Sequence, residues 1–234
     1  EAMTGEYYRA DRLARAGLPV DMPVFVSSLP GEQVLVYRRR SDPRFSDVLR
    51  ALDIAALDGR RDMAGEADAV IAERSLDASV VRVYLDSLHP VTPDKAAAEP
   101  IHRLFHDRLV DMPGRRFPGG RLAGFYLGKT VRLPGVELGW DDFAGRRLMI
   151  NDRTYQRTVG ELFAAAGARL RPDRLADAGG VVAHGDAHNA NVWYGKGPTL
   201  SFYDPAFAGE HVPALMAEAK ATFHNVFAHP LWLY

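Results

Sequence analysis

The spacing of apolar positions predicts helices over much of the chain. Residues 6–16 place apolar side chains on one face and arginines on the other, which predicts an amphipathic helix that stops at Gly17. From residue 44 to about residue 112, apolar positions again recur every three to four residues, so this region is predicted to be mainly helical. Within it, residues 80–85 fit a strand equally well. A further helix is predicted over roughly 154–168.

Short β-branched and aromatic runs predict two hairpins. Residues 23–28 and 33–37 form the first pair of predicted strands, joined by a turn that contains Pro and Gly. Residues 192–194 and 200–203 form the second pair, again with Gly and Pro between them. Residues 113–136 are rich in Gly, Pro and Arg and are predicted to be irregular.

Polar side chains suited to magnesium flank the second hairpin. Asp186 and Asn191 lie between an apolar run at residues 181–183 and the first strand, and Asp204 follows the second strand directly. Because a hairpin reverses the chain, Asn191 and Asp204 are predicted to be neighbours. Carboxylate and amide oxygens are ligands that Mg²⁺ accepts in proteins. The sequence therefore predicts a magnesium site here, with Asp186 a short loop away.

Residues 184–191 read His-Gly-Asp-Ala-His-Asn-Ala-Asn. This segment resembles the catalytic loop of the aminoglycoside phosphotransferase and choline kinase family, whose pattern is H-G-D-x-H-x-x-N. The resemblance is strong over residues 181–204 and weaker elsewhere. It implies that Asp186 is the catalytic base for an acceptor hydroxyl. It also implies that Asn191 and Asp204 bind the nucleotide through Mg²⁺, with ATP or GTP as the phosphoryl donor.

The resemblance further implies an α+β fold of the protein-kinase type with two lobes. Residues 1–40 would form a partial N-lobe, a helix plus a β-hairpin, and residues 41–234 a mostly helical C-lobe that carries the catalytic loop and metal site. Glu6 stands where the family has a nucleotide-site Glu that pairs with a strand Lys; a solvated acid at a helix start is an equal alternative. No Lys precedes Lys95. Whether that Lys and a glycine-rich phosphate loop lie upstream or are absent stays open.

Several other polar residues are expected to support the site or to face solvent. Residues 38–40 are three arginines at the position of the family's interlobe hinge, and a solvated basic patch is the favoured interpretation. His184 and His188 are expected to hold the catalytic loop by hydrogen bonds. Glu210, at the start of a helix predicted to run to about residue 226, could brace the same loop.

The remaining clusters are assigned to the surface. His102 and His106 have the spacing of zinc ligands on a helix, but Arg103 stands where a zinc protease needs Glu, so one face of a partly exposed helix is expected. An acidic, aromatic patch for a cationic substrate could be formed by Glu137, Trp140, Asp141 and Asp142, although an exposed loop is the favoured interpretation. A metallophosphoesterase is disfavoured because its later Gly-Asp-x-x-Asp and Gly-Asn-His segments are missing.

Composition narrows the classes of protein. The 234 residues are 47% hydrophobic and 25% charged, which is typical of a globular protein with a sizeable core. The net charge of −1 argues against a nucleic-acid partner, and the absence of cysteine excludes disulfides and thiolate chemistry. No apolar run reaches the ~18 residues that span a membrane. With no signal peptide recognised, a cytoplasmic protein without a membrane partner is expected.

The sequence thus predicts a small-molecule kinase. It would use ATP, or GTP, with Mg²⁺ to phosphorylate a hydroxyl of a small metabolite, amino sugar or aminoglycoside-like antibiotic. The alternative is a catalytically inactive kinase-like protein that binds a nucleotide or another ligand. The acceptor and the oligomeric state are not predicted.

Overall fold

A computed structural model of the chain describes residues 2–227 apart from 28, 30 and 33, and of residues 2–4 it describes the backbone alone. The chain is a mixed α+β protein, so the predicted class is confirmed. Its strands pair as antiparallel, two-stranded sheets. It divides into two compact units, residues 1–101 with 176–234, and residues 102–175. The lobes predicted to meet near residue 40 are a different division, which stays a prediction.

The elements follow one another in chain order as α1 (Ala2–Ala16), β1 (Phe25–Ser27), β2 (Val34–Val36), α2 (Phe45–Leu57), α3 (Met63–Ser87), α4 (Pro93–Ala98), α5 (Gly120–Tyr126), β3 (Thr130–Leu133), β4 (Val136–Gly139), α6 (Trp140–Ala144), β5 (Arg147–Ile150), β6 (Arg153–Thr158), α7 (Val159–Arg169), β7 (Gly180–Ala183), β8 (Val192–Gly195), β9 (Thr199–Phe202), β10 (Gly209–Pro213) and α8 (Ala214–Thr222). Short 3₁₀ turns occur at Pro100–Leu104, His106–Arg108, Pro172–Ala178 and Asn189–Asn191, and a π turn at Phe223–Phe227.

The core of the first unit is built where the apolar faces of α1, α2 and α3 meet the β8–β9 hairpin. Leu13, Phe45 and Phe202 are fully or almost fully buried in it. Burial of each such side chain stabilises the fold by ~1.5–3 kcal/mol. The C-terminal end of α3 also holds β7, because Val182 N–H donates to Ser87 Oγ over 3.0 Å. The core therefore fixes both strands that enclose residues 184–191.

The second unit contains the β3–β4 and β5–β6 hairpins together with α5, α6 and α7. Tyr126 stacks on Trp140 with 4.6 Å between ring centroids, and the ring centroid of Phe163 in α7 lies 6.0 Å from that of Trp140. Aromatic pairs at these distances contribute ~0.5–1.5 kcal/mol beyond their buried area. Glu137, Asp141 and Asp142 are exposed, as expected, but Trp140 is only 7% exposed. These residues belong to β4 and α6 rather than to a loop.

Both predicted hairpins form, with pairs such as Phe25 with Val36 and Val192 with Phe202. Positions 28, 30 and 33 of the first hairpin lie outside the described residues. Residues 80–85, ambiguous in sequence, belong to α3. Among the described helices, none combines the length and the apolar character that a membrane crossing needs.

Two predictions of secondary structure, a helix start and an irregular region, are wrong. Residues 153–158 form β6, and α7 begins only at Val159 because Thr158 caps it. Thr158 Oγ1 accepts from Glu161 N–H at 3.2 Å, while the Glu161 carboxylate accepts from Thr158 N–H at 2.8 Å. This reciprocal pair satisfies two free N–H groups at the helix start. Residues 113–136, predicted to be irregular, contain α5 and β3.

His102 and His106 are also misassigned by the sequence. Each is 2% exposed, so neither lies on a solvent-facing helix surface. They belong to separate 3₁₀ turns rather than to one α-helix. Apolar neighbours at helical spacing, such as Ile101 and Leu104, do not distinguish a regular helix from two short turns.

Candidate functional site

The segment that resembles a catalytic loop is enclosed by paired strands. β7 leads into it, and β10, further along the chain, pairs antiparallel with β7 through Gly209 opposite Ala183. The sequence predicted a helix from Glu210, and only its start is wrong: residues 209–213 are strand, and the helix, α8, begins at Ala214. Pairing with β7 overrides the local pattern there.

The second hairpin brings its two flanking polar residues together. Tyr203 N–H donates to the carbonyl of Asn191 over 3.0 Å, so Asp204, the next residue, is adjacent to Asn191 in space. Asn191 is 9% exposed, and its Nδ2 donates to the backbone carbonyl of Asp186 over 3.0 Å. Because the amide nitrogen is used in that bond, the amide oxygen is the atom left to accept a proton or bind a cation.

His184 acts as an internal brace for the loop. Its Nε2 donates to the carbonyl of Tyr203 over 2.9 Å, and its Nδ1 accepts from Asp186 N–H over 3.3 Å. The ring is fully buried, and desolvation lowers the pKa of His184 to about 4. A neutral ring with its proton on Nε2 satisfies both bonds at once. His184 therefore joins residue 186 to the end of β9.

The carboxylate of Asp186 meets two basic side chains. Lys220 of α8 forms an ion pair with Asp186 Oδ1. His188 Nε2 lies 3.3 Å from the same oxygen, and burial lowers the pKa of His188. Both basic groups face Oδ1, so Oδ2 is the oxygen that can accept a proton from another molecule. Asp186 keeps 13% of its side chain exposed, which leaves it accessible.

Lys220 is the main site residue that sequence reasoning missed. It is 7% exposed and lies among the buried α8 residues Met216, Ala217 and Ala221. A Lys at a buried position of a helix needs a charged partner, because an unpaired buried ammonium is unfavourable by several kcal/mol. That position within the apolar face of α8 was the available signal.

Asp204 lines a cavity of about 340 Å³ that also includes Glu6, Tyr37 and Trp193. The Trp193 ring stacks on that of Tyr203 with centroids 4.3 Å apart, which gives the cavity a flat aromatic wall. Asp204 has φ +56°, a left-handed backbone conformation that is uncommon outside glycine. The next residue, Pro205, accepts at its carbonyl from Ala208 N–H, so the loop closes without a donor at position 205.

Comparison with protein-family models gives no match, and searches of curated proteins and of solved structures give none. The assignment of this site therefore depends on its own residues and geometry.

Glu6 is half-buried rather than a solvated acid at a helix start. It accepts a hydrogen bond from Tyr37 Oη at 2.7 Å, and α1 begins well before it, at Ala2. Burial raises the pKa of Tyr37 well above its usual range, and the bond to Glu6 adds to this effect. Glu6 thus enters the cavity from α1, bonded to the residue that follows β2.

The arginines that follow Tyr37 are exposed, and two of them, Arg38 and Arg40, line the same cavity. Arg40 donates to Asp21 through Nη2 at 2.8 Å, and this hydrogen bond raises the pKa of Arg40. Asp21 is held in turn, because its N–H donates to Phe202 O over 2.7 Å. Arg40 is therefore anchored to the β9 edge of the cavity rather than being only a solvated charge.

Glu210 does not occupy a helix start. It lies in β10, and Arg12 Nη2 is 3.5 Å from its Oε1. The group that meets the Asp186 carboxylate is Lys220 instead. Within the described part of the chain, no group of three or more His, Cys, Asp or Glu side chains converges on a metal position. A magnesium ion here would need ligands from Asn191 and Asp204, from the phosphates of a bound nucleotide and from water.

Proposed function

We propose that this chain is a phosphotransferase with a protein-kinase-like, two-lobed fold. It would transfer the γ-phosphoryl group of ATP or GTP to a hydroxyl of a small molecule. The observation that carries the proposal is the cavity in which Asp204 and Glu6 meet beside Asn191, whose amide is bonded to the Asp186 backbone. A nucleotide in that cavity would have an aromatic wall for its base and oxygen ligands for its phosphates.

The charges around the cavity support binding of a nucleotide together with a divalent cation. Three carboxylates, Glu6, Asp21 and Asp204, line it beside the guanidinium groups of Arg38 and Arg40. A free triphosphate carries a charge of about −4, so three carboxylates would repel it. Asn191 and Asp204 supply an amide and a carboxylate oxygen, which fits Mg²⁺. When bound, Mg²⁺ offsets negative charge on the phosphates.

Asp186 would orient the acceptor and take its proton. The hydroxyl oxygen forms a bond to the γ-phosphorus while the bond from that phosphorus to the bridging oxygen of ADP breaks. The hydroxyl proton passes to Asp186 Oδ2, and ADP leaves with the electron pair of the broken bond. Lys220 and His188, both on Oδ1, would hold the carboxylate in one orientation. The acceptor belongs to the class of small hydroxyl compounds.

Calorimetric binding of ATP tests the nucleotide site. We expect the wild-type protein to bind ATP at least tenfold more tightly with Mg²⁺ than without it, and Asp204→Asn to lose most of that difference. Asp152→Asn is a matched control, because Asp152 also has a positive φ, +62°, but lies in the β5–β6 turn. Equal loss in both variants, or no binding of ATP or GTP, would contradict the proposal.

Asp186→Asn tests the catalytic role. With a panel of sugars, amino sugars and amino alcohols as acceptors, release of ADP should fall by ~10²–10⁴-fold, the usual contribution of a general base. The dissociation constant for Mg–ATP should change by less than about threefold. One observation favours a second function, a binding protein without turnover: Lys220 already pairs with the Asp186 carboxylate. Tight Mg–ATP binding with no ADP release for any acceptor would support that function instead.

A further inference from the structure

A second cavity lies wholly within residues 102–175, the second unit. It has a volume of about 520 Å³ and is lined by His106, by Arg115 and Phe117 of the following loop, and by residues of α7 such as Ala164. Pockets that hold small organic ligands usually measure ~300–1,000 Å³. This cavity is therefore large enough for a small molecule, and it contains none of the residues assigned above to phosphoryl transfer.

The unit that contains the cavity is basic, although the whole chain has a net charge of −1. Residues 102–175 carry fourteen Lys and Arg against eight Asp and Glu, a net charge of +6. Two of these charges, Arg115 and Arg171, line the cavity. Arg171 donates to Asp173 at 2.7 Å, whereas Arg115 has no carboxylate within ion-pair distance among the described residues. One excess positive charge is left at the cavity.

His106 adds a buried polar group without a full set of partners. It is 2% exposed, and its Nδ1 makes no hydrogen bond within the described residues. Oδ1 of Asp107 lies 3.5 Å from this nitrogen, which is too far for a good hydrogen bond. A buried polar atom left in this state costs ~1–3 kcal/mol, so its presence beside a cavity needs an explanation. A polar ligand in the cavity would supply one.

Hydrogen bonds close the loop that presents Arg115 and Phe117. Asp111 N–H donates to the carbonyl of Arg116 over 2.9 Å. Gly120 N–H donates to Asp111 Oδ1 over 3.0 Å. A side chain at Gly119 would place its Cβ 2.2 Å from the backbone nitrogen of Asp111, so the close approach requires glycine. The guanidinium and the aromatic ring are thus presented from a pinned loop, a preorganised arrangement that lowers the entropic cost of binding.

We infer that this cavity binds a small organic anion, in which a carboxylate or a phosphate monoester is attached to a flat apolar body. The anionic group is recognised by Arg115 and Arg171, whose planar N–H groups match carboxylate and phosphate oxygens. The apolar body contacts Phe117 and Ala164. The inference is independent of phosphoryl transfer by Asp186, because no residue is shared between the two sites.

Calorimetric titration of the full chain with phenyl phosphate, benzoate and uncharged benzyl alcohol tests this inference. We expect the phosphate or the carboxylate, or both, to bind with a dissociation constant below 1 mM and benzyl alcohol to bind at least tenfold more weakly. The anion that binds more tightly shows whether the cavity prefers a phosphate or a carboxylate group. Inorganic phosphate, which has no apolar body, should also bind at least tenfold more weakly than phenyl phosphate.

Two variants locate the binding. Arg115→Gln should weaken binding of the preferred anion at least tenfold, while Arg116→Gln, at a neighbouring and more exposed arginine, should leave it unchanged. Ala164→Phe keeps every charge but fills the cavity, and should also abolish binding. Absence of binding by both anions, equal binding of benzyl alcohol, or the same loss with Arg116→Gln as with Arg115→Gln would overturn the inference.

Discussion

At the scale of single residues, the burial of His184 makes stability depend on pH. Its pKa is lowered to about 4 by desolvation, whereas a His in an unfolded chain titrates near pH ~6.5. Between these two pH values the unfolded chain binds a proton that the folded chain does not. The free energy of unfolding therefore decreases as the pH falls from about 6.5 towards 4, and this contribution is fully present only above pH ~6.5.

Replacing His184 with Gln, which does not titrate, should flatten this dependence. The full displacement of the pKa corresponds to ~3 kcal/mol, so the wild-type protein should lose up to that much more stability than His184→Gln on going from pH 7 to pH 4. Urea denaturation of both proteins at pH 7, 6, 5 and 4 measures the difference. The carboxylates contribute equally to the pH dependence of both proteins, so their contribution cancels. Parallel pH profiles would show that His184 does not stay neutral in the folded protein.

At the scale of secondary-structure elements, α8 contributes to the site through one buried ion pair. Lys220 is the only member of the buried α8 face that carries a charge within the described part of that helix, and its partner is Asp186. Removing one partner of a buried pair leaves an uncompensated charge, which typically costs ~3–5 kcal/mol. The pair therefore ties the position of α8 to the loop at residues 184–191.

Lys220→Met should destabilise the chain by ~3 kcal/mol, because the ionised Asp186 then loses its cation. Combining it with Asp186→Asn should recover part of the loss, with a coupling energy of ~1–3 kcal/mol. Urea denaturation of the wild-type protein, the two single variants and the double variant gives this value. Additive effects of the two substitutions would mean that the pair does not contribute to stability.

Local patterns predicted the elements that depend on neighbours in sequence. The apolar period predicted α1, and the aromatic runs predicted the hairpin that brings Asn191 beside Asp204. Elements that depend on distant partners were not predicted. The helix predicted from residue 210 forms only from Ala214, because residues 209–213 pair as β10 with a strand about thirty positions earlier. The contact between Lys220 and Asp186 spans 34 positions, and no local rule connects them.

At the scale of the whole molecule, charge is divided unequally between the two compact units. Residues 102–175 have a net charge of +6, so the rest of the chain has −7 and the two nearly cancel. A molecule that is close to neutral overall but carries segregated charge attracts other copies of itself when salt is low. Screening shortens the range of that attraction to ~8 Å at physiological ionic strength.

Static light scattering at pH 7 should therefore report attraction between molecules at 10 mM NaCl and weaker attraction at 150 mM. Arg132→Glu, which reverses an exposed charge in the basic unit, should reduce the difference between the two salt concentrations. A second virial coefficient that is the same at both concentrations would show that segregation of charge does not govern association of this chain.

If Asp204 binds a cation as proposed, its left-handed backbone places folding and the proposed function in opposition at one position. Glycine adopts φ near +56° without the strain of ~1 kcal/mol that a Cβ introduces, but glycine has no oxygen to offer a cation. In a library of all residues at position 204, a screen for resistance to heat should enrich glycine, whereas a screen for retention on immobilised ATP with Mg²⁺ should enrich aspartate. Selection for stability and selection for nucleotide binding would then favour different residues at position 204. Sequencing the variants that survive each screen shows how strongly each selection favours glycine or aspartate.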